Sequence, residues 1–271
     1  MPGVTAVMQS SSVVVAIGGL PIRLHCDDPD FIRLIEERYA GFVNSSDNAS
    51  FDFEIELAPR GTLSRDEDVR VTWDSGRWLM ERGDFRAEWN PSTARGRIHQ
   101  TLTPYSLDSV LRIVHTLLLA REGGFLLHAS SAIRNGRAFL FSGVSGAGKT
   151  TMARLAPPDA ALLTDEISYL TRREGRYIAL GTPFFGELGR AGENLQAPIE
   201  ALYLLAKGPE NKIEPITGPD AVRGLLENIL FFARDPEFVK LVFETACDFA
   251  ARIPVRRLTF VPNTSVWELI V

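Results

Sequence analysis

The chain has 271 residues, enough for two compact domains or one large one, and 45% hydrophobic with 23% charged residues is ordinary for a globular protein that buries a core. A formal net charge of −5 argues against a dedicated nucleic-acid binder. The apolar run Val13 to Ile17 is too short for a membrane span or a usual signal-peptide core, so a cytoplasmic protein with no membrane partner is expected. Two cysteines, Cys26 and Cys247, stand far apart among apolar neighbours without metal-ligand spacing and read as buried free thiols.

The first ten residues read as loose. Val13 to Ile17, Gly18-Gly19 and Leu20 to Leu24 predict a β-hairpin turned by the glycine pair. Asp28 to Tyr39 has helical spacing at Phe31, Leu34 and Ile35, and the Asn- and Ser-rich stretch Val43 to Ser50 reads as a loop. Phe51, Phe53, Ile55 and Leu57 alternate with acidic residues, as a strand with one wet face does. Short strands follow at Val69 to Trp73, Arg77 to Glu81 and Phe85 to Trp89. Their aromatics read as sheet core, with a peptide-binding face as the lesser alternative, and His25 and His99 read as structural. Residues 1–103 are therefore expected to form a sheet-rich domain with one helix.

Ser106 is a plausible N-cap for a helix whose stripe is Leu107, Val110, Leu111, Val114, Leu117 and Leu118, stopped by Gly123-Gly124. Phe125 to Ala129 and Gly136 to Ser142 read as strands joined at Arg134-Asn135-Gly136. Lys149 to Leu155 is a short helix ended by Pro157-Pro158, and Ala160 to Thr164 is a strand that ends at Asp165-Glu166. A hairpin around Arg172 to Gly175 follows, then a loop with two phenylalanines at Gly181 to Glu187. Arg172, Arg173 and Arg176 read as a solvated turn. Strands are expected at Ile199 to Ala206 and Lys212 to Ile216, and Pro219 and Asp235-Pro236 open two amphipathic helices. Val255 to Phe260 and Val266 to Ile270 read as closing strands. The expected fold is α/β of the α+β kind, with a P-loop domain over 104–271 built on a mixed sheet with flanking helices.

Gly143-Val144-Ser145-Gly146-Ala147-Gly148-Lys149-Thr150 matches the phosphate-binding pattern G-x-x-x-x-G-K-S/T at every fixed position, after the apolar run Ala138 to Phe141. Its glycines let backbone N–H groups turn toward phosphate oxygens, Lys149 supplies a positive charge for the β- and γ-phosphates, and the Thr150 hydroxyl can join a Mg²⁺ shell. With Thr151 beside it, the loop is expected to bind ATP or another nucleoside triphosphate.

Asp165 lies sixteen positions after Lys149, at the end of the next strand. There a carboxylate can sit beside the γ-phosphate and accept the proton of an acceptor hydroxyl. Glu166 would point elsewhere if the strand continued, so the pair is expected to divide acceptor and metal roles; helix capping is the plain alternative. His128, fifteen residues before the loop on a strand expected to pair with the loop's own, is a candidate helper, though a lone His on an apolar strand is usually structural. Glu187 is an additional candidate ligand and Arg190 an additional candidate for stabilising the transferring phosphoryl group, against surface charge as the default for both.

His128, the 143–150 loop and Leu163-Thr164-Asp165-Glu166 together resemble the bacterial HPr kinase/phosphorylase catalytic domain, a relative of the phosphoenolpyruvate carboxykinases, over about residues 120 to 190. The resemblance implies that Asp165 is the base for a serine hydroxyl, that Glu166 helps hold the metal and that His128 assists near the phosphates. Glu166 stands where HPr kinases usually carry Asp, and the N-terminal region does not read like theirs. The chain looks more like divergent HPr-kinase-like proteins, some of which phosphorylate serine in peptide-modification pathways. The resemblance thus implies an ATP- and Mg²⁺-dependent serine kinase acting on a peptide or protein, and leaves room for a homo-oligomer. A small-molecule kinase of the shikimate or nucleotide-kinase type is the alternative enzyme. Those folds usually begin at the phosphate loop and carry an arginine-rich lid, whereas this chain has over a hundred residues before its loop and no clear lid. A regulatory module that binds nucleotide without transferring phosphate is the non-enzyme alternative.

Overall fold

The computed structural model describes residues 11–45, 48–59 and 68–270. Residues 1–10, read above as loose, and Ser46-Asp47 of the expected loop lie outside the described residues. The chain is mixed α/β, with two mixed sheets, and divides into two compact units, Met1–Val110 and Leu111–Val271.

In the first unit β1 (Ser11–Ile17) and β2 (Leu20–Cys26) pair antiparallel across Gly18-Gly19, both at positive φ. Asp28 caps α1 (Pro29–Arg38), its carboxylate accepting from the Asp30 and Phe31 amides, and the helix buries Phe31, Ile32 and Ile35. The seven-stranded sheet runs in the order β1-β2-β3-β7-β6-β5-β4, from β3 (Phe51–Leu57), β4 (Arg70–Asp74), β5 (Arg77–Arg82), β6 (Phe85–Asn90) and β7 (Arg95–Gln100). The strand β7 was not expected, because Arg95 to Gln100 holds one large apolar residue, Ile98. It forms because it slots between β3 and β6, where Ile98 is buried and the missing side chain of Gly96 makes room for the Phe53 ring. Phe53, Trp78, Phe85 and Trp89 are buried, so most of the aromatic alternation is sheet core, while Trp73 stays exposed edge-on to Trp78.

The division between the units falls within α2 (Pro104–Glu122). Ser106 is not its N-cap. The helix begins at Pro104, and the Ser106 hydroxyl donates instead to Asp84 at 2.7 Å, a buried carboxylate that also takes Arg82. Nearby, the buried Asp108 accepts from Arg38 and from the Tyr39 hydroxyl.

In the second unit β8 (Phe125–Arg134) and β9 (Arg137–Ser142) form a hairpin through Asn135 and Gly136, both left-handed. The phosphate-loop segment leads to α3 (Lys149–Arg154). Then come β10 (Ala161–Thr164), β11 (Ile167–Arg173), β12 (Arg176–Leu180), β13 (Gln196–Lys207) and β14 (Lys212–Ile216). The chain continues through α4 (Gly218–Leu226), β15 (Ile229–Leu230), α5 (Pro236–Arg252) and β16 (Val255–Phe260). The sheet order is β10-β8-β11-β12-β13-β16-β14, with β9 held between β8 and, in parallel, β13, and β15 on β8. The two-residue β15 has too short a pattern to be read from sequence.

Val266 to Ile270 is not a strand but part of a 3₁₀ turn over Thr264–Leu269. Its position is set by tertiary bonds: the Trp267 indole donates to the Met152 carbonyl of α3 at 3.2 Å and stacks edge-on against Phe141 of β9. Arg134 meanwhile donates to the Trp267 and Ile270 carbonyls. The turn therefore braces the helix that starts the phosphate loop's far side.

Candidate functional site

The loop leaves β9 at Ser142 and enters α3 at Lys149, so its geometry is strand, glycine turn, helix. Gly148 sits at φ 112°, and a Cβ there would lie 2.6 Å from the Phe260 ring, so both backbone and space require glycine. Within the loop the Ala147 amide donates to the Val144 carbonyl at 3.1 Å. Val144 and Ser145 are exposed; Thr150 and Thr151 are half-buried at the first turn of α3. The buried Ser130 of β8 donates its hydroxyl to the Lys149 carbonyl at 2.9 Å, tying the strand beneath to the start of α3.

Lys149 is 8% exposed, and its ammonium donates to the loop's own carbonyls, Gly143 at 2.8 Å and Val144 at 3.2 Å. Burial pushes its pKa below the usual lysine value, while the carboxylates of Glu166 and Glu187 act the other way and hold the proton.

Asp165 and Glu166 form a tight corner between β10 and β11 rather than the start of a helix. The Thr164 hydroxyl organises the corner, accepting from the Glu166 and Ile167 amides at 3.2 Å each and donating to the Phe184 carbonyl at 3.1 Å. The two side chains do diverge, but not in the direction the strand pattern suggested. Asp165 is 2% exposed and turns to the following loop, where one oxygen accepts from the Gly186 amide and the other from the Leu188 amide, each at 3.0 Å. Glu166 is the half-exposed member, bonded to Arg112 at 3.2 Å and acting on Lys149. The reason lies twenty residues downstream. The 184–188 loop offers two backbone donors that a short carboxylate satisfies, which no local pattern announces.

His128 lies on β8 opposite Ile167, next to the corner, with its backbone bonded to Asn228 and to the Ser142 hydroxyl. Burial first, then the positive charges of Lys149 and Arg112, lower its pKa, so it stays neutral near pH 7. Glu187 is exposed on the loop that Asp165 holds and acts electrostatically on Lys149. Arg190 is exposed and has no bond to these groups among the described residues.

Arg112 was missed in the sequence. Its guanidinium bonds Glu166, lies 5.0 Å over the Phe184 ring and acts on His128. The signal was present, since a lone arginine between Leu111 and Ile113 interrupts a helix buried on most sides. No cluster of three or more His, Cys, Asp or Glu side chains that could hold a metal ion by itself occurs among the described residues.

A family model described as "SynChlorMet cassette protein ScmC" matches residues 97–270. The chain belongs to the ScmC family. The matched span starts inside β7 and takes in the phosphate loop, the acid corner and Arg112, whereas β1 to β6 lie outside it. No curated protein matches the chain. Among solved structures, the Hpr(Ser) kinase/phosphatase from Coxiella burnetii is similar at 17% identity with a TM-score of 0.26, over 45% of this chain and 88% of that one. What the ScmC-family site can do is therefore argued from its own side chains. No helix among the described residues is long and apolar enough to cross a membrane.

Proposed function

We propose that this chain transfers the γ-phosphoryl group of ATP, with Mg²⁺, to the serine hydroxyl of a peptide or protein. The observation that carries the reading is the pairing of a complete phosphate loop with the Asp165-Glu166 corner on the same strand β8, where the Ala129 amide bonds the Glu166 carbonyl and the Ser130 hydroxyl bonds the Lys149 carbonyl. Lys149 and the loop amides bind the phosphates. The donor set fits Mg²⁺, which needs only a hydroxyl such as that of Thr150 and one or two carboxylates besides phosphate oxygens and water. When bound, the ion offsets charge on the β- and γ-phosphates. Glu166 is the acid we assign to the reacting side, taking the hydroxyl proton, with Glu187 on the metal side. Asp165 positions the 184–188 loop that carries Glu187. His128, neutral and beside Lys149, orients the nucleotide without adding positive charge.

A module that binds nucleotide without transfer is the second reading, favoured by the burial of Asp165 and the engagement of both its oxygens. Intact-mass analysis of candidate serine peptides and of the protein itself, incubated with ATP and Mg²⁺, separates the two. A gain of one phosphoryl group on a peptide is expected; ATP binding with no such gain on any serine substrate would favour the module.

A further inference from the structure

We propose that Arg112 is a catalytic residue of the same site, donating hydrogen bonds to the γ-phosphoryl group as it passes from ADP to the acceptor oxygen. This rests on the phosphoryl-transfer reading above and adds to it a cation from α2, far from the phosphate loop in sequence.

Arg112 has donors to spare. A guanidinium has five N–H groups in a planar fork. Among the described residues Arg112 uses one of them, on Glu166, and its buried Nε has no hydrogen-bond partner. Arg134 of the same unit has a side chain of nearly the same exposure, 24% against 20%, yet it spends its donors on Asp159 and on the carbonyls of Trp267 and Ile270. Arg134 is thus satisfied by the fold itself, and Arg112 is not. A buried donor left unmade is costly, and phosphate oxygens bonding this fork would offset that cost.

The second part is that Arg112 is held ready. Phe184, fully buried, lies under the guanidinium, and Glu166 grips one of its nitrogens. Platform and grip hang on the same atom, because the Thr164 hydroxyl donates to the Phe184 carbonyl and accepts from the Glu166 amide. A planar fork fixed this way loses little freedom when it meets phosphate oxygens. The corner it grips adjoins the phosphate loop through β8: the Ala129 amide donates to the Glu166 carbonyl at 3.0 Å, and the hydroxyl of the next residue, Ser130, donates to the Lys149 carbonyl at 2.9 Å. Arg190, the arginine suggested by sequence for this task, has no such surroundings.

In the transfer the bond between the β,γ-bridging oxygen and the γ-phosphorus breaks and a bond from the acceptor oxygen to that phosphorus forms. The hydroxyl proton passes to Glu166, and the electron pair of the broken bond stays on the β-phosphate of ADP. Arg112 is unchanged. Its free N–H groups meet the equatorial oxygens, where charge is spread in the transition state.

The test measures ADP binding to the full chain by calorimetry in Mg²⁺, with and without aluminium fluoride, which mimics the phosphoryl group in flight. Wild type should bind ADP and bind it much more tightly with aluminium fluoride. Arg112→Ala should keep ADP affinity within about threefold and lose roughly a hundredfold or more of the aluminium fluoride gain, in line with what a transition-state arginine contributes. Millimolar guanidinium ion should restore part of it, which a structural role would not predict. Arg112→Lys keeps charge and packing if the alanine variant does not fold, and should lose most of the gain because it lacks the fork. Variants that gain as much as wild type, or a wild type that binds ADP but gains nothing, would overturn the role of Arg112. A wild type that does not bind ADP overturns the phosphoryl-transfer reading itself.

Discussion

Asp165 accepts the backbone N–H of Gly186 at 3.0 Å, and its other oxygen takes that of Leu188, so the first acid of the corner is a strut for the loop that follows. Its neighbour Glu166 bonds the Arg112 guanidinium instead, at 3.2 Å. The two acids therefore differ in kind, and substitution separates them.

Asp165→Asn should destabilise the chain by about 2 kcal/mol, because an amide cannot accept from both N–H groups and a charge-assisted bond is worth about 1.5–3 kcal/mol. Glu166→Gln should leave stability nearly unchanged and lower turnover by a factor of roughly a hundred or more, the usual contribution of a general base. Thermal melts and single-turnover rates on both variants decide the matter. If Asp165→Asn melts like wild type and is the one that stops transfer, the assignment reverses and Asp165 is the base.

Lys149→Met keeps the apolar stem but removes the ammonium that bonds the Gly143 and Val144 carbonyls. We expect ATP affinity to fall by roughly ten- to a hundredfold, the worth of a charged hydrogen bond, with a melting temperature only a few degrees lower. Unchanged affinity in calorimetry of the folded variant would remove this loop as the nucleotide site.

His115 gives the chain an acid sensitivity. It is fully buried on α2 against the Tyr169 ring, neither ring nitrogen has a hydrogen-bond partner among the described residues, and burial pushes its pKa from 6.5 to about 3. The folded state thus resists a proton that the unfolded chain accepts. The stability tied to neutral His115 is fully present above pH 6.5 and is lost as pH falls toward 3. Between pH 7 and pH 5 the loss is about 2 kcal/mol by linkage. Denaturant titrations at both pH values should show a drop of that size in wild type and a smaller one in His115→Phe. Equal drops in the two proteins would show that other groups cause it.

Trp267→Phe tests the brace on α3. It keeps most of the packing against Phe141 and deletes the bond to the Met152 carbonyl, which should cost about 1 kcal/mol. Hydrogen exchange should speed up in α3 and in the 143–150 loop before it does in β12 and β13. Uniform acceleration across the unit would mean that the turn does not brace the helix selectively.

Much of the site was legible because it is written in neighbours. The three glycines with Lys149 and Thr150 define a loop whose geometry depends on adjacent dihedrals, and Asn135-Gly136 set the hairpin that places His128 beside it. Asp28 before Pro29 and Asp235 before Pro236 likewise marked helix starts that the structure carries. Ser106 misled for the opposite reason. It has a capping residue's chemistry, but Asp84, in the turn between β5 and β6, offered its hydroxyl a stronger partner.

The sequence by itself determined the strand, glycine turn and helix over 138–154, the strand that ends at Asp165-Glu166, and most of the other strands and helices, since each depends on contacts within a few residues. Only the tertiary structure decided that Asp165 holds the following loop, that Arg112 bonds Glu166, that Arg95 to Gln100 is a strand and that the last described residues form a turn. Each of those outcomes depends on a partner distant in the chain: the Gly186 and Leu188 amides, Glu166, the β3 and β6 edges, and Met152. A hydrogen-bonding group takes whichever partner the fold brings within about 3 Å, and sequence spacing carries no record of that distance.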